Sequence, residues 1–275
     1  MVGSKASSPL IKLILLSVGL FLFIFPFLLL IVNSFKENRE ITSSPLSLPT
    51  GFSLVNYQSA FEKMNYLAAF SNSLIITVLS VLIISLFASM TAHYFVRNNT
   101  KFNQYTFLIM VASMIIPFQA IMIPLVKIYG SLGMLDSKFS LVYMYLGFGS
   151  SLAIFIYHGF VKSIPAELEE AAMIDGCTRT QTFFRIVFPV LTPTTVTIAI
   201  LNVLWIWNDF LLPSLVLVAP DERTLPLSTF YFYGTYSVDY GPMMAGLMLT
   251  ILPVLIVYLF AQKYIIKGVM QGSIK

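Results

Sequence analysis

The chain has 275 residues, of which 57% are hydrophobic and 10% charged, with a formal net charge of +4. A soluble domain carries about 25% charged residues, so this composition excludes a water-soluble globular core and predicts an integral membrane protein. One cysteine and two histidines exclude an intramolecular disulfide, a multi-cysteine metal centre and an H-E-x-x-H site, and the modest charge gives no reason to invoke nucleic acid.

The first predicted element is a transmembrane helix within residues 10–33, whose uncharged run is Leu13–Val32. Lys5 precedes it as in a signal peptide. The run is too long, however, and Asn33-Ser34-Phe35-Lys36 offers no small-x-small cleavage site, so an uncleaved span is expected, with Pro26 as a kink. Residues 36–70 are polar, carry Pro45, Pro49 and Gly51, and read as an external loop with a short amphipathic helix over Tyr57–Leu67. Further spans are predicted over Ser73–Phe95, Tyr105–Val126 (holding Pro117 and Pro124), Leu141–Val161, Val190–Leu212 and Met243–Tyr264. The expectation is thus one all-α membrane domain over 1–275, with six transmembrane helices and both termini on one side.

Lysine and arginine set that side. Lys5, Lys12, Arg97, Lys101, Lys162, Arg179, Arg185, Lys263, Lys267 and Lys275 lie with the termini; Lys36, Arg39, Lys63, Lys127, Lys138 and Arg223 lie opposite. The larger group predicts cytoplasmic termini.

Between the fourth and fifth runs stands the one acid-rich interval of the C-terminal half, residues 165–189. It reads as two short helices. Pro165 suits a first helical position, and Glu167, Glu169 and Glu170 favour the positive end of the helix dipole. Gly176 suits a left-handed helix end, and Thr178 with Gln181 three residues on predicts a capping box. Ala171, Ala172 and Gly176 leave room for the backbone of another protein. Glu170-Ala171-Ala172, three residues, Gly176, nine residues, then Ile186-Val187-Phe188-Pro189 resembles the EAA loop, E-A-A-x3-G-x9-I-x-L-P, of bacterial ABC importer permeases. Phe188 replaces the usual Leu, and Cys177 stands where Ala is common. The alternative is an ordinary loop whose glutamates pair with Arg179 and Arg185.

The resemblance runs from the first apolar segment to the C-terminus and points to the MalG-like permeases of carbohydrate importers. It implies the type I ABC importer transmembrane-domain fold, a permease core over 70–265 and a coupling loop over 165–189. It implies that Glu170, Ala171, Ala172, Asp175 and Gly176 dock a separate ATPase. Asp175 also reads as a plain helix-end residue. The implied partners are a second, MalF-like permease in a heterodimer, an ATPase dimer holding ATP and Mg2+, an extracellular or periplasmic sugar-binding protein, an oligosaccharide substrate and the lipid of the bacterial inner membrane. No cofactor is expected on this chain. Its Gly241 and Gly246 have P-loop spacing, but Leu247 and Met248 follow where lysine and a hydroxyl are required.

Four polar residues are candidates for the pathway or its gate: Asn72, Asn202, Asn208 and Asp209. Asp209 is the one acid within an apolar run, and such acids face a bundle interior or an aqueous path. The neighbouring Trp205 and Trp207 equally fit an interfacial belt, which would place Asp209 among headgroups. Asn202 and Asn208 lie on different helix faces. Asn72-Ser73 fits a helix cap or a gate. In the last external segment Tyr231, Tyr233 and Tyr236 suit contact with a sugar ring or the binding protein, or an interfacial belt. His93 and His158 read as interfacial, and the basic tail from Lys267 to Lys275 as a lipid or ATPase contact. Two other classes compete. An ion-coupled secondary transporter would show internal repeats and intramembrane acids. A membrane enzyme would need a nucleophile elbow, which Gly147-Phe148-Gly149-Ser150-Ser151 lacks.

Overall fold

The computed structural model describes residues 9–234 and 238–273. Among them there is no strand, only an isolated antiparallel bridge between Tyr233 and Val238. Four helices are long and apolar enough to cross a membrane, and two bent helix pairs raise the number to six if each pair is one span.

By contact density the chain divides into two units, 1–66 with 229–252, and 67–228 with 253–275. The first unit holds α1 (Pro9–Asn33), α2 (Asn38–Ser43), α3 (Val55–Lys63) and a 3-10 turn at Thr229–Phe232. The side chains of α1 are exposed over nearly all its length, as its uncharged run from Leu13 to Val32 requires in lipid. Beyond it, buried polar groups order the segment that follows. Lys36 is 1% exposed, and its ammonium donates to the carbonyls of Ser44 at 3.1 Å and Pro45 at 3.3 Å. Asn56 donates to the carbonyls of Ser34 and Lys36. Asp239 accepts from Asn38 at 2.8 Å and pairs with Lys63 at 2.7 Å. Burial pushes the Asp239 carboxyl up, but the bonds from Lys63 and Asn38 outweigh it and hold its pKa below the ordinary aspartate value.

The second unit carries the apolar core. Its helices are α4 (Tyr66–Arg97), α5 (Lys101–Ser113), α6 (Phe118–Ser131) and α7 (Lys138–Val161). After these come α8 (Glu167–Ile174), α9 (Arg179–Thr182), a π-helical turn at Phe183–Val187 and α10 (Phe188–Val190). The series continues with α11 (Thr192–Asn208), α12 (Leu211–Val216), a 3-10 turn at Pro220–Glu222 and α13 (Leu225–Ser228). The long α14 (Tyr240–Ser273) begins in the first unit and ends in the second. Helix α7 packs against α5, α11 and α12. Its close approach passes through Gly149, where a Cβ would lie 2.6 Å from Ile84 Cδ1 and 2.9 Å from Asn202 Oδ1.

Four boundaries correct the sequence reading. The second span starts at Tyr66 rather than Ser73, so Asn72 lies two turns inside α4 and does not cap it. The third is not a continuous helix over Tyr105–Val126, because α5 and α6 meet at 102°. Ile116 precedes Pro117, whose ring disfavours the helical backbone there, and Pro117 itself is extended. The fifth is bent by 74° at its start, between Val190 and Thr192. Pro189 and Pro193 stand four apart, so the bond that would join them along the helix cannot form. That span also stops at Asn208. Asp209 is extended, and its carboxylate accepts the Leu211 N–H at 3.0 Å, an alternative to helix that a short acidic side chain offers.

Candidate functional site

The loop over 165–189 is built almost as its residues dictate. Helix α8 runs over Glu167–Ile174 with its three glutamates in the first turn. Pro165 lies just outside, and Ala166 rather than Pro165 opens the helix. Gly176 has φ +88°. Its N–H donates to the Met173 carbonyl at 3.1 Å, and the Cys177 N–H reaches the Ala172 carbonyl at 3.0 Å. These two bonds make a Schellman ending, which needs a left-handed residue at this position. Thr178 then caps α9. Its Oγ1 accepts the Gln181 N–H at 3.3 Å, and the Gln181 side chain accepts the Thr178 N–H at 2.8 Å. The π-helical turn follows directly before Pro189, whose missing N–H and ring displace the carbonyl four residues back.

The loop has an inner and an outer face. On the inner face lie Glu169, 8% exposed, and Ala172, 7% exposed. On the outer face are Leu168, Glu170, Ala171, Ile174, Asp175 and Gly176, with Ile174 85% exposed. Ala172 therefore packs inward, against the expectation that all three small residues stay open to a partner. Gly176 has no atom within 4 Å of where a Cβ would stand, so its conformation, not a close approach inside this chain, requires glycine.

Glu169 is the chemical centre of the inner face. Its Oε1 accepts from Arg97 Nε at 2.8 Å and pairs with the same guanidinium at 2.7 Å. Its Oε2 stands 2.8 Å from His93 Nε2, where the carboxylate accepts from the Nε2–H form. Arg97 also donates to the Ile164 carbonyl at 2.9 Å. Burial pushes the Glu169 carboxyl up, yet the bonds and charges of Arg97 and His93 prevail and hold its pKa below the ordinary glutamate value. Beside this group lies a cleft of about 430 Å³ lined by residues including Met90, Tyr94, Glu170, Met173 and Phe184. His93 thus grips the loop, a role that an interfacial reading missed, and Glu169 pairs with Arg97 and His93 rather than with Arg179 or Arg185. The available signal was the four-residue spacing of His93 and Arg97 at one end of α4, which puts both on one face.

The pathway candidates are bonded in separate places. Asn72 donates to the Asp221 carbonyl at 2.7 Å and the Arg223 carbonyl at 3.2 Å, and it accepts from Lys138 at 2.9 Å. Asn202 is buried beside Gly149, whereas Asn208 is exposed, consistent with their different helix faces. Asp209 Oδ2 accepts from the fully buried Tyr145 hydroxyl at 2.9 Å. Tyr145 in turn meets Trp205 edge to face at 5.4 Å. Tyr231 and Tyr233 are exposed in the first unit, at 39% and 56%. Tyr236, Lys5 and Lys275 lie outside the described residues.

Comparison with known proteins gives a consistent set. The profile described as "Binding-protein-dependent transport system inner membrane component" matches residues 84–271. The chain is 48% identical over 254 residues, 92% of each chain, to the "Probable starch degradation products transport system permease protein AmyC" of Thermoanaerobacterium thermosulfurigenes. It is 37% identical over 268 residues, 96% of each chain, to the "Multiple sugar-binding transport system permease protein MsmG" of Streptococcus mutans. Its fold is similar, with TM-score 0.81 and 21% identity, to a chain of a bacterial ABC transporter involved in the import of the acidic polysaccharide alginate, over 96% of this chain and 99% of that one.

Proposed function

The chain belongs to the family of binding-protein-dependent transport system inner membrane components, and on that premise we propose that it forms half of a sugar pathway driven by a separate ATPase. The second half is a second permease subunit, different from this one. A binding protein delivers an oligosaccharide from outside, and an ATPase dimer holding ATP and Mg2+ docks on the cytoplasmic face of the bacterial inner membrane. Glu170, Ala171, Asp175 and Gly176, with Leu168 and Ile174, form the docking surface. The chain itself catalyses no reaction.

The single observation that carries this reading is the exposed outer face of α8. It places bare apolar side chains next to acids on a loop that is fixed at its middle by the Gly176 ending and the Thr178 capping box and anchored inward through Glu169. Ile174 at 85% and Leu168 at 48% exposure stand beside these acids, where a partner surface would cover them. The carbohydrate part rests on relatives whose names specify starch degradation products and multiple sugars.

The test is transport in proteoliposomes. This chain is reconstituted with its second permease, ATPase and binding protein, and uptake of radiolabelled maltotriose and raffinose is followed. ATP inside the vesicles drives uptake, and an ionophore that collapses ion gradients leaves the initial rate unchanged. Uptake that stops with the ionophore and ignores ATP establishes an ion-coupled carrier instead. ATP-driven complexes that carry neither sugar refute the oligosaccharide assignment.

A further inference from the structure

Two of the ties between the loop that meets the ATPase and the rest of the chain differ in stiffness. Along the backbone, α9 and α10 lead into α11 through a 74° corner flanked by Pro189 and Pro193. The Leu191 N–H still reaches the Val187 carbonyl at 3.0 Å and the Thr195 N–H the Leu191 carbonyl at 2.8 Å. Pro193, however, has no N–H to give, and a helix kinked at proline bends more readily than a straight one. Through side chains, the loop is tied to α4 by the Glu169 group. Arg97 holds Glu169 on α8 and the Ile164 carbonyl on the chain entering it, so one guanidinium spans the start of the loop. His93, one turn earlier, takes the second carboxylate oxygen.

Helix α4 is well suited to carry a displacement. It is 32 residues long and contains neither glycine nor proline. At 1.5 Å per residue it extends about 48 Å, more than the hydrocarbon core of a bilayer. One face stays buried from Ala69 to Ala92. Its other end grips a second segment. Ser73 Oγ accepts the Leu225 N–H at 2.8 Å, Asn72 donates to the carbonyls of Asp221 and Arg223, and Lys138 bonds Asn72 at 2.9 Å and reaches Glu222 at 3.5 Å. Both ends of a single unbroken helix are therefore fastened, one to the docking loop and one to the segment over 221–225.

We propose that α4 is the rod by which motion of the docking loop reaches the opposite face of the membrane, with Arg97 and His93 as positioning residues that grip Glu169, and Asn72 and Ser73 as the grip on 221–225. This rests on the ATP-driven reading above. The ion pair is the joint that makes the loop and rod move as one body. Breaking it leaves the loop held by the proline corner, α7 and the apolar packing of Phe183 and Val187, with no polar joint to α4, so the ATPase moves the loop and the rod lags.

The test uses the reconstituted complex, a labelled sugar of the panel above that the native complex carries, and the ratio of sugar transported to ATP hydrolysed. Native complexes lacking ATP-driven uptake refute the reading above, whatever the variants do. Given native uptake, Glu169→Gln and Arg97→Gln lower the ratio about tenfold, the scale of a typical coupling energy, while the ATPase still co-purifies. Asn72→Ala, at the far end, lowers it in the same sense. A reversible joint separates positioning from folding. In a Cys177→Ser background, His93→Cys with Glu169→Cys is bridged by a short bis-methanethiosulfonate tether. The ratio is low without the tether, recovers with it, and falls again on adding reductant. The rod is refuted if the ratio is unchanged in the uncharged variants, or if the tether forms and restores nothing. It is also refuted if the cysteine pair fails to assemble in both states, since the group then serves only to build the loop.

Discussion

Replacing Gly176 separates two reasons for its presence. Its φ of +88° lies in the left-handed region, and a Cβ placed there meets nothing within 4 Å. An L-residue therefore costs conformational strain and no clash, about 1–2 kcal/mol. At 1.4 kcal/mol per factor of ten, Gly176→Ala reduces the population of the Schellman ending about 5- to 30-fold relative to its competitors. Asparagine visits this region more readily than alanine because its side chain bonds locally, so Gly176→Asn costs less although it is larger. Valine, β-branched, costs more than alanine. The expected order of affinity for the ATPase is thus Gly, then Asn, then Ala, then Val, measured as Kd between the purified permease pair and the ATPase subunit. If the ATPase instead needs an empty patch at this point, size alone rules and the asparagine variant binds worse than the alanine variant. That order would refute the conformational argument.

Other perturbations follow from the same geometry. Gly149→Ala drives a Cβ to 2.6 Å from Ile84 and 2.9 Å from Asn202, costing about 1–3 kcal/mol in detergent thermal unfolding, with partial recovery on adding Ile84→Val. Asp209→Ala removes both the acceptor for Leu211 and the partner of the buried Tyr145 hydroxyl, costing about 2–4 kcal/mol, and Asp209→Asn recovers the part that needs only a neutral acceptor. Thr178→Ala deletes the cap of α9 and costs about 1 kcal/mol, read as earlier proteolysis of the loop. Asp239 has a folded pKa below its unfolded value. Its contribution is therefore whole above the ordinary aspartate pKa and lost as pH falls through the folded value. Melting followed from neutral to acid pH loses that part of its slope in Asp239→Asn. The effect is small, because Lys63 and Asp239 are 50% and 35% exposed.

Local rules made much of this chain legible. Apolar runs located the four long helices that can cross a membrane, because length and apolarity decide which helices can cross lipid. The Thr178–Gln181 box and the Gly176 ending formed as read, since each is decided within about six residues. The interrupted spans were less legible. A hydropathy run averages over Pro117 and Asp209, whereas the backbone answers to each of them singly. Tyr105–Val126 carries no charge, so nothing in its hydropathy announces a 102° corner. The pre-proline position and the spacing of Pro189 and Pro193 carried that information, and both concern hydrogen-bond geometry rather than hydrophobicity.

The division of labour among the glutamates was not legible, and the reason is specific. Glu167, Glu169 and Glu170 occupy one helical turn, where dipole arguments treat them alike. They point in directions about 100° apart per residue. Only one faces inward, and which one depends on His93 and Arg97, 76 and 72 residues away. The motif drew attention to Glu170, which faces outward, and passed over its neighbour. A buried carboxylate is retained only where cations meet it, because leaving either partner uncompensated costs about 3–5 kcal/mol. The same energy that makes Glu169 expensive makes its joint stiff. An acid one residue along the helix, bound to nothing in this chain's interior, is free to meet a partner protein. Adjacent glutamates thus stand on different faces of one helix, and the contacts around each, not the motif letters, distinguish them.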